Sequence, residues 1–175
     1  MRKLELLFTL FTTLIISINT ASAQGVDNGF NLIVVGDSQP QTKKQLAELK
    51  DVIIPQIKSI VEEYRATGYP TAVLITGDVV WDTLRFMPRV KEAFESLGVP
   101  IYTVIGNHDH NRFHRYNEER AERNYIKTFG PRNQSFMLGQ TLFVTFDNIS
   151  YYRSYSEEVD SKQLVWLSEL LEGFP

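Results

Sequence analysis

Three short segments of the sequence end in the same way, with a glycine followed by a side chain that can bind a cation. Gly36-Asp37, Gly77-Asp78 and Gly106-Asn107 each follow a run of apolar or β-branched residues. Two carboxylates that converge on one place repel each other unless a positive charge lies between them, and no Lys or Arg is adjacent to either Asp. A divalent cation supplies that charge, and carboxylate and amide oxygens suit Mn, Fe, Mg or Zn.

The residues after Asn107 add groups that can move a proton. Two metal ions about 3.5–4 Å apart would hold the oxygens of a phosphoryl displacement and lower the pKa of a water between them. His108 is then placed to protonate the leaving oxygen, with Asp109 fixing the tautomer of its imidazole. This chemistry requires all three segments to meet at one place in the fold.

The sequence around the three segments predicts alternating strands and helices. Asn31–Val35, Ala72–Thr76 and a strand that begins at Ile101 are apolar, and the first is expected to be covered on both faces. A helix opened by a Thr42-x-x-Gln45 capping box follows the first strand, and a helix over Phe86–Leu97 follows the second. This order predicts an α/β fold with a parallel sheet, in which ligands bind beyond the carboxyl ends of the strands.

Several local features of the chain complete this prediction. Pro55 predicts a kink or a break in the first helix, with Asp51 capping the second part. Ser135–Leu138 and Thr141–Phe146 flank Gly139-Gln140 and predict a hairpin with a two-residue turn. A last helix is expected after an Asp160-x-x-Gln163 capping box, and the alternating charges from Arg112 to Arg123 indicate a solvated helix face.

The ordered set of motifs resembles a known family. Gly36-Asp37-x-Gln39, Gly77-Asp78 and Gly106-Asn107-His108-Asp109 resemble, in order, the D-x-H, G-D and G-N-H-[DE] motifs of the calcineurin-like metallophosphoesterases. The segment from Phe129-Gly130-Pro131 through the hairpin is also similar to the segment that follows the third motif there. The resemblance implies a layered sheet flanked by helices, a hydrolase that acts on a phosphomonoester or phosphodiester, and two divalent metal ions.

The resemblance also implies a role for each matching residue. Asp37 would bind the first metal ion, Asp78 would bridge both ions, and Asn107 would bind the second. His108 would act as the acid and contact the phosphate, and Asp109 would orient it. These roles are expectations that rest on the match of the motifs.

Two departures from the family pattern limit what the resemblance implies. Gln39 stands where the first motif usually has His, and a neutral amide is a poorer ligand. The family takes three further His ligands from a C-terminal half, but this chain has only His108, His110 and His114. Residues 24–175 are therefore expected to be the N-terminal part of the domain, with the second metal site incomplete and some apolar surface exposed.

Three interpretations remain open from the sequence. The first is a metal-dependent phosphoesterase, or a truncated and inactive product of one. The second is a non-catalytic remnant that binds one metal ion weakly or none, and the third is an unrelated α/β binding domain. A dehalogenase-type phosphatase is disfavoured, because its nucleophile lies in D-x-D, whereas Asp37 is followed by Ser38-Gln39.

The N-terminus and the composition bear on location and partners. Residues 1–23 combine a basic start, the apolar run Leu6–Ile18 and the small residues Ala21-Ser22-Ala23, which predicts a signal peptide and export to the periplasm or the medium. The run is shorter than the roughly 20 residues of a membrane span. A net charge of −3 argues against a nucleic-acid partner or an anionic membrane. The expected partner is a phosphorylated substrate, small or macromolecular.

Overall fold

The computed structural model describes residues 5–8, 14–19, 29–114, 116–150, 156–157 and 159–174; for 5–8, 14–19, 150 and 156–157 it gives the backbone alone. The strands are β1 Glu5–Phe8, β2 Leu14–Asn19, β3 Asn31–Val35, β4 Thr71–Thr76, β5 Ile101–Val104, β6 Gln134–Leu138, β7 Thr141–Thr145, β8 Ile149–Ser150 and β9 Ser156–Glu157. The helices are α1 Lys43–Glu48, α2 Ile54–Arg65, α3 Met87–Glu95, α4 Glu118–Phe129 and α5 Ser161–Glu172. None of the described helices is both long enough and apolar enough to cross a membrane.

A parallel sheet of the order β3-β4-β5 carries the three candidate motifs. The central strand β4 is buried from Thr71 to Ile75, as its run of apolar residues requires. The hydroxyls of Thr103 in β5 and Tyr125 in α4 form a buried hydrogen bond of 2.6 Å, which joins the sheet to the helix above it. The predicted α/β fold with a parallel sheet is confirmed.

The helices on one face of this sheet begin and end near the predicted residues. Thr42 and Gln45 form the predicted capping box at α1. A π-helical stretch, Leu49–Ile53, joins α1 to α2 just before Pro55, so the predicted interruption is present as a change of helix type. Asp51 does not cap α2, because the backbone stays helical through Ile53 and the N-cap makes no side-chain hydrogen bond.

An antiparallel sheet packs on the other face. The β6–β7 hairpin turns at Gly139-Gln140, as predicted, with Gly139 at a φ of 59°. Aromatic rings fill the space between the sheets, and Tyr102 stacks on Phe136 with ring centroids 3.5 Å apart. Helix α5, which begins at its predicted Asp160–Gln163 capping box, covers the outer face of β7. The order of layers is thus helices, parallel sheet, antiparallel sheet, helix.

The strand β3 is less covered than its composition predicts. Ile33 and Val35 pack against the helices, and Leu32 packs against the aromatic cluster, but Val34 is 56% exposed. The prediction of cover on both faces is wrong at Val34, because the aromatic cluster that packs on Leu32 does not extend to it. Leu164 and Val165 of α5 are also more than half exposed, so the structure has the exposed apolar surface that was expected.

The predicted signal segment contains two strands in this structure. Strand β2 pairs with β7 in antiparallel register from Ile15 opposite Thr145 to Asn19 opposite Thr141, and β1 pairs with β2. The small residues Ala21-Ser22-Ala23 lie outside the described residues. This pairing does not test whether the segment is removed, and export stays a prediction.

Candidate metal centre and active site

The candidate ligands lie in the turns that follow the three parallel strands. Asp37 comes two residues after β3 and Asp78 two residues after β4. Both have a positive φ, 43° and 45°, a backbone region that Asp tolerates better than most residues. Non-glycine residues are held in this conformation only when the surrounding structure fixes them, and such residues are common at functional sites.

Hydrogen bonds connect the three turns around Asp78. The Gln39 N–H donates to the Asp78 carbonyl at 3.0 Å, and the hydroxyl of Ser38 donates to the next carbonyl, of Val79, at 3.1 Å. The His108 N–H donates to Oδ1 of Asp78 at 3.0 Å. The turn after β4 is therefore bonded to the turns on both sides of it, which brings the candidate motifs to one end of the sheet.

The surroundings of Asp78 disfavour the charged form of its carboxyl. Burial raises the pKa of the Asp78 carboxyl, and the charges of Asp37 and Asp82 raise it further, while the N–H and imidazole of His108 lower it. A divalent cation next to this carboxylate would reverse the effect of its acidic neighbours.

Glycine is required where the second and third turns meet. A Cβ atom on Gly106 would overlap the backbone nitrogen and Oδ1 of Asp78. Gly77 has a φ of 88°, and a Cβ atom there would lie 3.3 Å from Cα of Gly106. The two glycines thus allow the chains to approach closely enough for the turns to share Asp78.

The donor set at this end of the sheet fits a divalent metal ion. Two carboxylates and the amides of Gln39 and Asn107 offer oxygen ligands, which hard and borderline ions prefer. Oε1 of Gln39 is a buried acceptor with no hydrogen-bond donor among the described residues. Buried acceptors of this kind are normally satisfied, and a cation would satisfy this one.

Asp82, rather than Asp109, makes the contact that orients His108. Nδ1 of His108 lies 3.2 Å from Oδ1 of Asp82, and Arg112 donates to the other oxygen of that carboxylate at 3.0 Å. The indole of Trp81 stacks on the imidazole, with ring centroids 3.8 Å apart. Sequence reasoning assigned no role to Trp81 or Asp82, although both lie in the same loop as Asp78.

The expectation that Asp109 orients His108 is therefore wrong, and the reason is that its carboxylate has other partners. Oδ2 accepts the N–H groups of Val79 and Gly106 at 3.0 and 2.9 Å, and Oδ1 accepts that of Val80 at 3.0 Å. Complete burial raises the pKa of Asp109 to about 7, against the lowering by these three hydrogen bonds. Asp109 joins the turn after β4 to the turn after β5 and does not reach the imidazole.

A second group of ionisable side chains lies buried behind this loop. Nδ1 of His110 lies 3.0 Å from the Gly106 carbonyl, and its Nε2 lies 3.5 Å from Asp147. His110, Glu122 and Asp147 place their ligand atoms within 4.8 Å of one another, a spacing that a metal ion could use. The guanidinium of Arg132 already contacts Glu122 at 3.0 Å and Asp147 at 3.5 Å, so these carboxylates have a cation without a metal.

Comparison with known proteins places these features in a family. The family model described as "Calcineurin-like phosphoesterase" matches residues 30–173. The chain belongs to the calcineurin-like phosphoesterase family. A search of curated proteins found no match. Membership of this metal-dependent family removes the interpretation as an unrelated α/β binding domain, while the roles of the individual residues stay predictions.

The contact at Gly106 predicts a large difference between two glycine substitutions in this member of the family. Gly106→Ala should lower the free energy of unfolding by about 2–3 kcal/mol, because the new methyl group overlaps Asp78. Gly36→Ala is the matched control, since its Cβ would meet only Thr76 Oγ1 at 3.8 Å, and it should change stability by less than about 1 kcal/mol. Urea denaturation followed by circular dichroism measures both, and equal effects would contradict this account of the turn.

The buried His110 predicts a pH-dependent contribution to stability. Desolvation lowers its pKa, but the contacts with Asp147, the Gly106 carbonyl and Glu122 outweigh it and raise the pKa above 6.5. The contribution of a group whose pKa is raised in the folded state is full below its unfolded pKa and is lost as the pH rises through the folded value. The stability difference between the wild type and His110→Gln should therefore be largest near pH 6 and decrease above it.

This difference is best measured by urea denaturation in EDTA, so that metal binding does not contribute. His114→Gln is the control, because it removes a histidine of the neighbouring loop whose side chain is exposed. A His110→Gln difference that stays constant or grows with pH would show that the buried imidazole is neutral in the folded protein.

Proposed function

We propose that this protein hydrolyses a phosphate monoester or diester, with the turns after β3, β4 and β5 as its active site. The observation that carries the proposal is the sharing of Asp78, whose carbonyl binds the first turn and whose carboxylate binds the third. This contact brings the ligand-type residues of all three motifs to one end of the sheet, where α/β folds bind ligands.

The residues proposed to hold metal ions are divided between the turns. Asp37 and Gln39 serve the first ion, Asp78 serves both, and Asn107 serves the second. Bound divalent cations supply charge neutralisation for the phosphate and an activated water. The protein's own contribution is to hold the carboxylates in left-handed turns, so that the oxygens are positioned before a substrate arrives.

His108 is proposed as the acid that protonates the leaving oxygen. Because its Nδ1 faces the carboxylate of Asp82, Nε2 is the nitrogen that can give a proton to the substrate. The stacked indole of Trp81 restricts rotation of the ring on one face. Arg112 holds Asp82 through its other oxygen and so stabilises the orientation of the pair.

Turnover of p-nitrophenyl phosphate and bis-p-nitrophenyl phosphate with added Mn tests this function. Asn107→Ala should abolish measurable turnover, and His108→Ala should lower kcat about 100-fold or more, as for the loss of a general acid. Asp82→Asn should lower kcat about tenfold or more with a smaller change in KM, because it misplaces the imidazole without removing it. His114→Ala, an exposed histidine of the neighbouring loop, is the control and should leave kcat unchanged.

The outcomes separate the two remaining interpretations. If the folded protein binds Mn but turns over neither ester, it is a metal-binding remnant and the catalytic proposal fails. If turnover occurs and survives His108→Ala, the hydrolase assignment stands but the acid is a different group.

We also propose that the protein acts outside the cytoplasm, on the basis of the composition of residues 1–23. N-terminal sequencing of the protein recovered from the periplasm or medium of an expressing bacterium should begin at Gln24. Recovery of protein that keeps Met1 and fractionates with the cytoplasm would contradict export and would favour β1 and β2 as permanent strands of the second sheet.

A further inference from the structure

A cavity of about 410 Å³ lies beside the turn that follows β3. Asp37 and Gln39, the two residues proposed to hold only the first metal ion, both line it, and Glu48 at the end of α1 adds a second carboxylate. No Lys, Arg or His is among the described residues that line this cavity. Its charged groups are therefore all acidic, which favours a cation over an anion there.

Gln39 brings to this cavity an acceptor that needs a partner. Its Oε1 is buried and accepts no hydrogen bond from any described residue. The backbone on either side of the amide is held in place, because the Gln39 N–H donates to the Asp78 carbonyl at 3.0 Å and the Thr83 hydroxyl donates to the Gln41 carbonyl at 3.3 Å. The chain is thus anchored at Gln39 and again two residues later, which keeps the amide next to the turn that carries Asp78.

The three histidines of the chain have other positions. His108 contacts Asp82 through Nδ1, and His110 is buried and contacts Asp147. His114 is exposed and does not line the cavity. Because the chain also has no Cys, the ligand atoms that the described residues offer to the first ion are all oxygens.

We infer that Gln39 makes the first metal site an all-oxygen site for a hard divalent cation such as Mn²⁺, without the advantage that an imidazole gives to Zn²⁺. A given site generally binds Zn²⁺ more tightly than Mn²⁺, and the difference depends on the ligand: imidazole suits Zn²⁺, whereas carboxylate and carbonyl oxygens suit Mg²⁺ and Mn²⁺. The inference rests on the proposed function for the position of the first ion at Asp37 and Gln39. It concerns which ion binds there, and the reaction does not enter it.

Competition between Mn²⁺ and Zn²⁺ in protein stripped of metal tests this inference without a substrate. Electron paramagnetic resonance measures unbound Mn²⁺, so it follows both the binding of Mn²⁺ and its displacement by Zn²⁺. Gln39→His should raise the ratio of Zn²⁺ affinity to Mn²⁺ affinity about tenfold or more, because it supplies an imidazole at the same position. Gln39→Glu keeps an oxygen ligand and should strengthen Mn²⁺ binding with little change in this ratio.

Gln41→His is the matched control for an added imidazole. Gln41 is exposed in the same loop and does not line the cavity, so its substitution should leave the ratio as in the wild type. Pulsed electron paramagnetic resonance gives a second readout, since it detects nitrogen bound directly to Mn²⁺. This signal should be absent from the wild type and from Gln41→His and present in Gln39→His.

The outcomes separate this inference from the proposed function. The inference is overturned if the wild type binds no Mn²⁺, if its bound Mn²⁺ carries a directly bound nitrogen, or if Gln39→His changes the ratio no more than Gln41→His does. If the ratio depends on Gln39 but neither ester is hydrolysed, the proposed hydrolysis fails and the all-oxygen site stands. If the esters are hydrolysed and the ratio does not depend on Gln39, the hydrolase stands and this inference fails.

Discussion

The close contact between the turn after β4 and the turn after β5 is the constraint on which the site depends. Gly77 and Gly106 allow the two backbones to approach, and the carboxylate of Asp109 then binds N–H groups from both turns. These hydrogen bonds are buried, and a buried polar group left without partners costs about 1–3 kcal/mol. Only with this contact in place can Asp78 accept the N–H of His108 and be shared between motifs.

The same contact concentrates negative charge. Asp37, Asp78 and Asp82 follow one another around one end of the sheet, and each has a positive φ. Burial raises the pKa of the Asp78 carboxyl, and repulsion from Asp37 and Asp82 adds to that rise. Asp82 is relieved by Arg112 and by the imidazole of His108. A cation between Asp37 and Asp78 would relieve the remaining pair, so metal binding and stability are expected to be coupled in this protein.

Local patterns in the sequence determined much of this arrangement. The strands β3 to β7, the Gly-Asp and Gly-Asn turns and the capping boxes at Thr42 and Asp160 were predicted within a residue or two, because each depends on neighbours along the chain. The side chain that orients His108 was not predicted. Asp109 is adjacent in sequence but its side chain points into the core, whereas Asp82 comes from a loop 26 residues away. Which carboxylate contacts the imidazole depends on how two loops pack, and the pattern of apolar residues along the sequence does not indicate this packing.

His110 is another residue whose contacts could not be predicted from its position in the sequence. It directly follows the Gly106-Asn107-His108-Asp109 motif, yet its imidazole is buried and contacts Asp147, which follows β7 of the second sheet. Gly106 is consequently held from two sides: its N–H binds Asp109, and its carbonyl lies against Nδ1 of His110. The Gly106 peptide groups are therefore held by Asp109, which binds the turn after β4, and by His110, which contacts Asp147 next to the antiparallel sheet. The position of Asn107, the proposed amide ligand, thus depends on the packing of both sheets. The proposed active site therefore requires the two sheets to pack in this order.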